Sequence, residues 1–307
     1  MILMCKNIPV YDVDTEQVYY TNLLPGLMLR NPCNDTFFLW LKTRYSANTN
    51  TLARKLKGVV FGQGNRLSIN KSTHALSLSD CYWVREPNFP YTFEQISPYY
   101  VDFWKGDGYY NRDVGGAIPT LYVGGYLNKE WVSANHLHKY GNDLGKEVEV
   151  YRLCKECGIS VNRITPIKKG ICIENFTSPD KMLEQADQSG LVDAEDFTEV
   201  DIIRLFGIGG VQMLIIDAIT GNGDRHAGNF GWLRDANTGK YISMAPLYDF
   251  DHALDSTLSI DRLIIDAVEE SVKAGYLQEV ERIANIISKV DTVDIFKVRA
   301  VEVLKLL

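Results

Sequence analysis

The spacing of hydrophobic and polar positions divides the chain into stretches with different predicted elements. Residues 1–102 hold short apolar pieces among Asn, Pro, Tyr and Trp, which indicates a small, irregular α+β segment. From residue 103 onward, β-branched and aromatic runs separated by glycine pairs predict strands, with a hairpin that turns at Gly124-Gly125. The segment DLGKEVEVYRLCKECGI (143–159) has helical periodicity and is predicted to stop at Gly158.

Helical periodicity dominates the second half of the chain. Two more strands are predicted in 160–176, SVNRITPIKKGICIENF, before an acidic segment at 178–201 that is predicted to be an exposed helical face and loop. The apolar run 201–220 predicts one helix, and the amphipathic pattern in 261–290 predicts further helices. Strands therefore precede helices, which favours an α+β fold with a β-rich lobe and a helical lobe.

Composition is typical of a globular chain of about two domains. Of the 307 residues, 46% are hydrophobic and 23% are charged, and the formal net charge is -7. This charge argues against bulk nucleic-acid binding, which would require a basic surface. No apolar stretch approaches the ~20 residues of a membrane span, and the first residues lack a signal-peptide pattern, so we expect a cytoplasmic protein.

Several common site motifs are missing from the chain. Only Cys154 and Cys157 form a C-x-x-C pair, and they lie in a predicted helix without a second pair at zinc-ligand spacing, so we expect both to be structural. The chain lacks G-x-x-x-x-G-K-[ST], a dinucleotide fingerprint and G-x-S-x-G. These absences argue against P-loop, Rossmann-type and α/β-hydrolase functions.

Three oxygen-bearing side chains stand out in ITGNGDRHAGNFGWLRDANTGKYISMAPLYDFDHAL (219–254). Asp224 and Asn229 lie five residues apart in a Gly-rich turn after an apolar helical run, and Asp249 ends a predicted strand. A strand end beside this turn would bring together three hard oxygen ligands, which suit Mg²⁺. Kinase-type phosphoryl transfer uses the same division of roles, in which one Asp orients the hydroxyl and an Asn and a second Asp hold the metal.

The motifs GNGDRHAGNFG and APLYDFDHAL together resemble the HipA-like kinases, bacterial relatives of protein kinases and phosphoinositide kinases. The resemblance implies a two-lobed, protein-kinase-like α+β fold that uses ATP and Mg²⁺. It also implies three segments: a small N-terminal α+β extension at 1–102, a β-rich N-lobe at 103–176, and a helical C-lobe at 177–307.

The family's roles carry over to matching positions of this chain. The resemblance implies that Asp224 orients and deprotonates the acceptor hydroxyl and that Asn229 and Asp249 hold Mg²⁺. In the family, a glycine-containing loop lies over the nucleotide phosphates, and VGGAIPT stands in its place here. The loop residues implied are Val114, Gly115, Gly116 and Ala117. The family usually ends this loop in Lys, whereas this chain has Thr120.

The family also pairs a strand lysine, which contacts the α- and β-phosphates, with a helix glutamate. Lys129 in GGYLNKEW is the lysine that the resemblance implies, and Lys139 in HLHKYG is the alternative. The implied partner is Glu147 in the predicted helix, with Glu149 on another face of that helix as the second choice.

Adenine binding and regulation are implied by two further positions. The segment ICIENF stands where the family has its hinge, so Glu174 and Phe176 are predicted to meet adenine chiefly through backbone groups. Family members can autophosphorylate a serine before the phosphate loop and thereby switch off. Asp113 stands at that position here, so we expect the switch to be absent or replaced by a fixed charge that keeps the loop open.

Together these residues predict an ATP-dependent protein serine/threonine kinase. It would act on a protein substrate as a toxin or signalling kinase, with an antitoxin or regulatory protein as a further partner. A small-molecule or lipid kinase stays open, because phosphoinositide kinases share the D-R-H-x-x-N order. An ATP-binding pseudokinase also stays open, which Thr120 slightly favours and the intact Asp224, Asn229 and Asp249 disfavour.

Overall fold

The structure is a computed structural model that describes residues 1–44, 74–100, 128–141, 144–191, 197–254 and 260–307. The chain forms two compact units. Unit 1 contains Met1–Gly141, Cys172–Leu191 and Gly231–Ile242, and unit 2 contains Asn142–Ile171, Val192–Phe230 and Ser243–Leu307. Each unit is therefore assembled from separate stretches of the chain.

Unit 1 begins with an antiparallel sheet of order β3-β2-β1-β4. The strands of this sheet are β1 (Ile2–Cys5), β2 (Ile8–Asp12), β3 (Gln17–Val18) and β4 (Tyr82–Arg85). The helices in this part of unit 1 are α1 (Gly26–Leu29), α2 (Asn34–Thr43) and α3 (Phe93–Ile96). Leu3 lies opposite both Tyr11 and Val84, and all three side chains are buried. The α+β character predicted for this part of the chain is confirmed in the residues that the structure describes.

Three strands carry the predicted nucleotide residues, and they belong to unit 1 apart from Gly170 and Ile171 at the start of the last one. β5 (Asn128–Ser133) pairs antiparallel with β6 (His136–Tyr140), and β8 (Gly170–Glu174) follows β6 in the same sheet. β5 overlaps the second strand of the predicted hairpin. The turn predicted at Gly124-Gly125 lies outside the described residues.

A three-stranded sheet that belongs to unit 1, apart from Ser243 and Met244 at the end of one strand, corrects the prediction for the acidic segment. β9 (Lys181–Gln185) pairs antiparallel with β10 (Gly231–Asp235), and β11 (Tyr241–Met244) lies on the other side of β10. The helical face predicted at 178–201 is therefore wrong at β9. Glu184 is buried there because Arg234 on β10 forms an ion pair with it (Nη1–Oε2 2.7 Å), and acidic composition does not reveal such a partner.

Unit 2 is predominantly helical and surrounds one buried helix. Its first elements are α4 (Gly145–Glu156) and β7 (Ile164–Ile167), followed by α5 (Glu199–Phe206), α6 (Ile208–Thr220), α7 (Ile260–Lys273), α8 (Leu277–Ile287) and α9 (Asp294–Leu306). Residues 213–220 of α6 are buried, and α6 contacts α5, α7, α8 and α9. α4, α7 and α8 confirm the helices predicted at 143–159 and in 261–290, and Gly158 follows α4 with a left-handed φ of 66°.

The apolar run 201–220, predicted as one helix, forms the two helices α5 and α6. Gly207 separates them with φ 56° and ψ −129°, a conformation that is accessible to glycine and costly for other residues. α5 starts at a capping box, in which the Thr198 side chain accepts a hydrogen bond from the backbone N–H of Asp201. Hydrophobic periodicity does not reveal the break because both helices are rich in apolar residues.

The compact units differ in composition from the segments predicted at 1–102, 103–176 and 177–307. Residues 177–191 and 231–242 share unit 1 with the first hundred residues of the chain. The assignment of an N-lobe and a C-lobe stays a prediction. Among the described residues, no helix combines the length and the apolar composition needed to cross a membrane.

Candidate active site

The predicted catalytic loop follows directly after α6 in unit 2. Gly221 ends the helix in the left-handed region, and the loop then turns at 222–230. The Asp224 side chain is 55% exposed, whereas Asn229 is buried. The Asn229 side-chain amide donates to the carbonyl of Asp224 (3.3 Å), and its backbone N–H donates to the carbonyl of His226 (2.8 Å). The loop therefore holds Asn229 in place and leaves the Asp224 carboxylate accessible.

One buried arginine ties this loop to the segment that carries Asp249. Arg225 forms a two-point ion pair with Asp217 of α6 (Nε–Oδ2 and Nη2–Oδ1, both 2.8 Å). Its Nη1 donates to the carbonyl of Asn229 (3.0 Å) and to the carbonyl of Tyr248 (2.8 Å). The Arg225 guanidinium thus binds the backbone of Asn229, one predicted metal ligand. It also binds the backbone of Tyr248, the residue before Asp249, the other predicted ligand.

The electrostatics around Arg225 favour its charged form. Burial alone would lower the pKa of Arg225, but the Asp217 carboxylate raises it above its ordinary value. The guanidinium also lies 4.8 Å from the centroid of the Phe250 ring, a cation–π contact. Phe250 adjoins Asp249, so Arg225 touches residues on both sides of that aspartate.

Asp249 lies in an irregular segment, which corrects the prediction of a strand that ends there. β11 ends at Met244, and the chain then makes a short parallel bridge at Leu247, whose N–H donates to the carbonyl of Ser160 (2.9 Å). Asp249 has a left-handed φ of 59°. A non-glycine residue in this region costs on the order of 1–3 kcal/mol and is commonest at functional sites. The left-handed turn at Asp249 interrupts the extended backbone that the apolar run predicts.

Three carboxylates of unit 2 converge beside this turn. One oxygen each of Glu147 on α4, Asp249 and Asp251 lie within 4.8 Å of one another. Glu147 is almost fully buried. Such a set of hard oxygen donors fits a divalent cation of the Mg²⁺ type, which prefers carboxylate ligands. The structure therefore brings two predicted site residues, Glu147 and Asp249, to the same place.

The predicted nucleotide residues that the structure describes in unit 1 lie on β5, on β6, and at or just after the end of β8. Lys129 of β5 lies directly opposite Lys139 of β6, and both are buried. Residues directly opposite in an antiparallel pair share one face of the sheet, so both candidate lysines belong to the same face. Glu174 is exposed at the end of β8, and Phe176 is half-buried. The predicted phosphate loop, 114–120, and Asp113 before it lie outside the described residues.

Sequence reasoning missed residues that support the loop. Asp217 lies in the apolar run MLIIDAIT, seven positions before Asp224, and accepts from Asn222 (2.9 Å) as well as from Arg225. The signal in the sequence was the position of this carboxylate inside an apolar run, where a buried charge needs a partner. The imidazole of His252 also lies beside the loop, with its Nε2 3.5 Å from Oδ2 of Asp224.

The cysteine pair has the environment of a structural pair. Cys154 and Cys157 are free and buried. Burial raises the pKa of the Cys157 thiol to about 11 and raises that of Cys154 as well. High thiol pKa values disfavour the reactive thiolate.

Comparisons with solved structures give a likeness at the level of the fold. No protein-family model and no curated protein sequence matches the chain. A solved structure of HipA from Shewanella oneidensis MR-1, in a toxin–antitoxin complex with HipB and operator DNA, is 14% identical over 100% of this chain and 91% of its own, with a TM-score of 0.58. The Helicobacter pylori proinflammatory kinase CtkA is 16% identical over 58% of this chain and 88% of its own, with a TM-score of 0.37. The likeness to HipA shows that the mixed α and β fold of this chain is similar to that of a HipA protein.

Proposed function

We propose that this chain is an ATP- and Mg²⁺-dependent protein serine/threonine kinase of HipA-like type. The observation that carries the proposal is the Arg225 contact, which fixes the Asp224–Asn229 loop to the segment of Asp249. Two short motifs that are distant in sequence are thereby joined in unit 2. The similarity to the HipA fold supports the same reading.

The roles of the unit 2 residues follow from their positions. Asp224, whose carboxylate is accessible, orients the acceptor hydroxyl and takes its proton. Asn229 and Asp249 would hold Mg²⁺, which when bound neutralises charge on the ATP phosphates. Catalysis in such a centre consists mostly of positioning and charge stabilisation, which suits residues fixed by a buried ion pair.

The nucleotide residues of unit 1 complete the proposal. Lys129 would contact the α- and β-phosphates, with Lys139 as the alternative on the same face of the sheet. Glu174 and Phe176 would meet adenine, and Val114–Ala117 would cover the phosphates. The pairing of Glu147 with the lysine stays a prediction. An antitoxin-like protein partner belongs to the same proposal because the HipA structure is a complex with HipB.

The acceptor class is tested by incubating the protein with γ-labelled ATP and Mg²⁺, alone and with protein and phosphoinositide acceptors. We expect label on serine or threonine, detected by intact mass and phosphopeptide mapping. Asp224→Ala should reduce transfer by about 10³-fold, within the range for loss of a general base. Asp266→Ala, which removes an exposed carboxylate of α7, is the matched control and should transfer normally.

Each alternative gives a different result in this assay. Label found only on the phosphoinositide would assign the chain as a lipid kinase instead of a protein kinase. ATP binding without label on any acceptor would favour a pseudokinase. Equal transfer by wild type and Asp224→Ala would remove the assignment of Asp224 as the base.

A further inference from the structure

The predicted adenine-binding segment is fixed at its central residue, Asn175. The backbone N–H of Asn175 donates to the carbonyl of Asn135 (2.8 Å), and its side-chain amide donates to the carbonyl of Ala134 (2.9 Å). Both acceptors lie in the turn between β5 and β6. The side-chain oxygen of Asn175 accepts from the backbone N–H of Thr177 (3.1 Å). The segment after β8 is therefore held to the β5–β6 turn.

The same segment is also bound by residues from the N-terminal part of unit 1. The carbonyl of Leu78 accepts from the side-chain amide of Asn175 (3.2 Å) and from the hydroxyl of Tyr99 (2.7 Å). The Thr177 hydroxyl lies 2.5 Å from the Leu78 carbonyl and 2.9 Å from the Tyr99 hydroxyl. Leu78 and Thr177 are buried. We call Leu78 and Tyr99 the brace.

Burial keeps the hydrogen bonds of the brace in place. Burial raises the pKa of Tyr99 well above its ordinary value, so its hydroxyl keeps the proton that it donates to Leu78. Buried polar groups that lose a partner carry a desolvation penalty, so the segment cannot shift away from the brace without cost. A second link lies close by, since the N–H of Leu183 on β9 donates to the carbonyl of Ser79 (2.7 Å).

The brace contacts alternate along the chain with the residues assigned to adenine. Asn175 and Thr177 meet the brace, whereas Glu174 and Phe176 are the residues proposed to meet the base. A shift of Asn175 or Thr177 would therefore displace both neighbours, because they are joined by rigid peptide units. Hydrogen bonds from a hinge backbone depend on such positions to within fractions of an ångström.

We infer that the N-terminal part of unit 1, through Leu78 and Tyr99, positions the adenine-binding segment and sets the preference for ATP over GTP. This inference rests on the proposed function. It assigns a positioning role to Tyr99 and Thr177 and gives the described residues 74–100 a part in nucleotide selection.

The test measures the Kd of Mg·ATP and of Mg·GTP by calorimetry. Tyr99→Phe and Thr177→Val each remove one hydroxyl and keep the shape of the side chain. We expect each to weaken ATP binding on the order of 5-fold, as the loss of one buried hydrogen bond would. GTP binding should change less, so the Kd for Mg·GTP divided by the Kd for Mg·ATP should fall. Thr177→Ser keeps the hydroxyl, so it should keep this ratio at the wild-type value.

The matched control is Tyr100→Phe, which removes the hydroxyl of the neighbouring exposed tyrosine. It should leave both Kd values unchanged. A purely stabilising role predicts a lower thermal midpoint in Tyr99→Phe and Thr177→Val with an unchanged ratio, and that result would overturn the inference. Wild type that binds both nucleotides equally would also overturn it. If the wild-type protein binds neither Mg·ATP nor Mg·GTP, the proposed function fails and the inference fails with it.

Discussion

Arg225 contacts both segments that carry the predicted metal ligands, and Asp217 holds Arg225 in turn. The Arg225 and Asp217 side chains are 7% and 4% exposed, so their ion pair is shielded from solvent. Breaking a buried pair from one side leaves an uncompensated charge. The order of the candidate site therefore depends on an aspartate that has no predicted chemical role.

This dependence gives a prediction at the residue scale. Asp217→Asn should lower the free energy of unfolding by about 3–5 kcal/mol, because the Arg225 charge stays buried without its carboxylate. The measurement is urea denaturation at neutral pH. Asp266→Asn breaks the exposed pair with Arg262 and should change the free energy of unfolding by less than about 1 kcal/mol. Equal effects of the two variants would contradict the role given to Asp217.

At the residue scale, sequence predicts local neighbours better than distant ones. Asp224 and Asn229 are five positions apart in a turn, and the structure joins them directly. The contact between His252 and Asp224 joins the loop to the segment that follows the left-handed turn at Asp249, and local sequence patterns do not predict it. Lys129 and Lys139 stay equivalent candidates because strand pairing places both on one face.

Elements follow the sequence where their periodicity is long and uninterrupted. α4, α7 and α8 match their predicted stretches, whereas β9 does not, because the alternation of its five residues is hidden in acidic composition. The break between α5 and α6 also escapes periodicity, since one glycine conformation causes it. Short strands and single-residue breaks are decided by tertiary partners such as Arg234.

The helix break carries the prediction at the element scale. Gly207→Ala should lower the free energy of unfolding by about 1–3 kcal/mol, because alanine at φ 56° and ψ −129° is strained. Gly145→Ala is the matched control: it lies at the start of α4, and an added Cβ would meet no atom within 4 Å. It should be neutral or slightly stabilising in the same urea titration. A Gly207→Ala protein as stable as wild type would mean that the junction tolerates an ordinary backbone.

At the scale of the whole molecule, unit 1 is held together by contacts that span most of the chain. Arg234 is fully buried, and its guanidinium donates to Asn22 O (2.6 Å), Leu24 O (2.8 Å) and Glu184 Oε2 (2.7 Å). The first two partners are 212 and 210 positions away in sequence. Asn22 and Leu24, near the start of the described residues, are thus bound directly to β10, a contact that local sequence patterns could not predict.

The central claim is that Asp224 acts in phosphoryl transfer while Asp249 acts in metal–nucleotide binding. The most direct measurement compares Mg·ATP binding and phosphate transfer on the same samples of wild type, Asp224→Ala and Asp249→Ala. The account predicts that Asp224→Ala binds Mg·ATP like wild type and transfers phosphate about 10³-fold more slowly. It predicts that Asp249→Ala binds Mg·ATP more weakly. Wild-type transfer by Asp224→Ala, or wild-type Mg·ATP binding by Asp249→Ala, would contradict it.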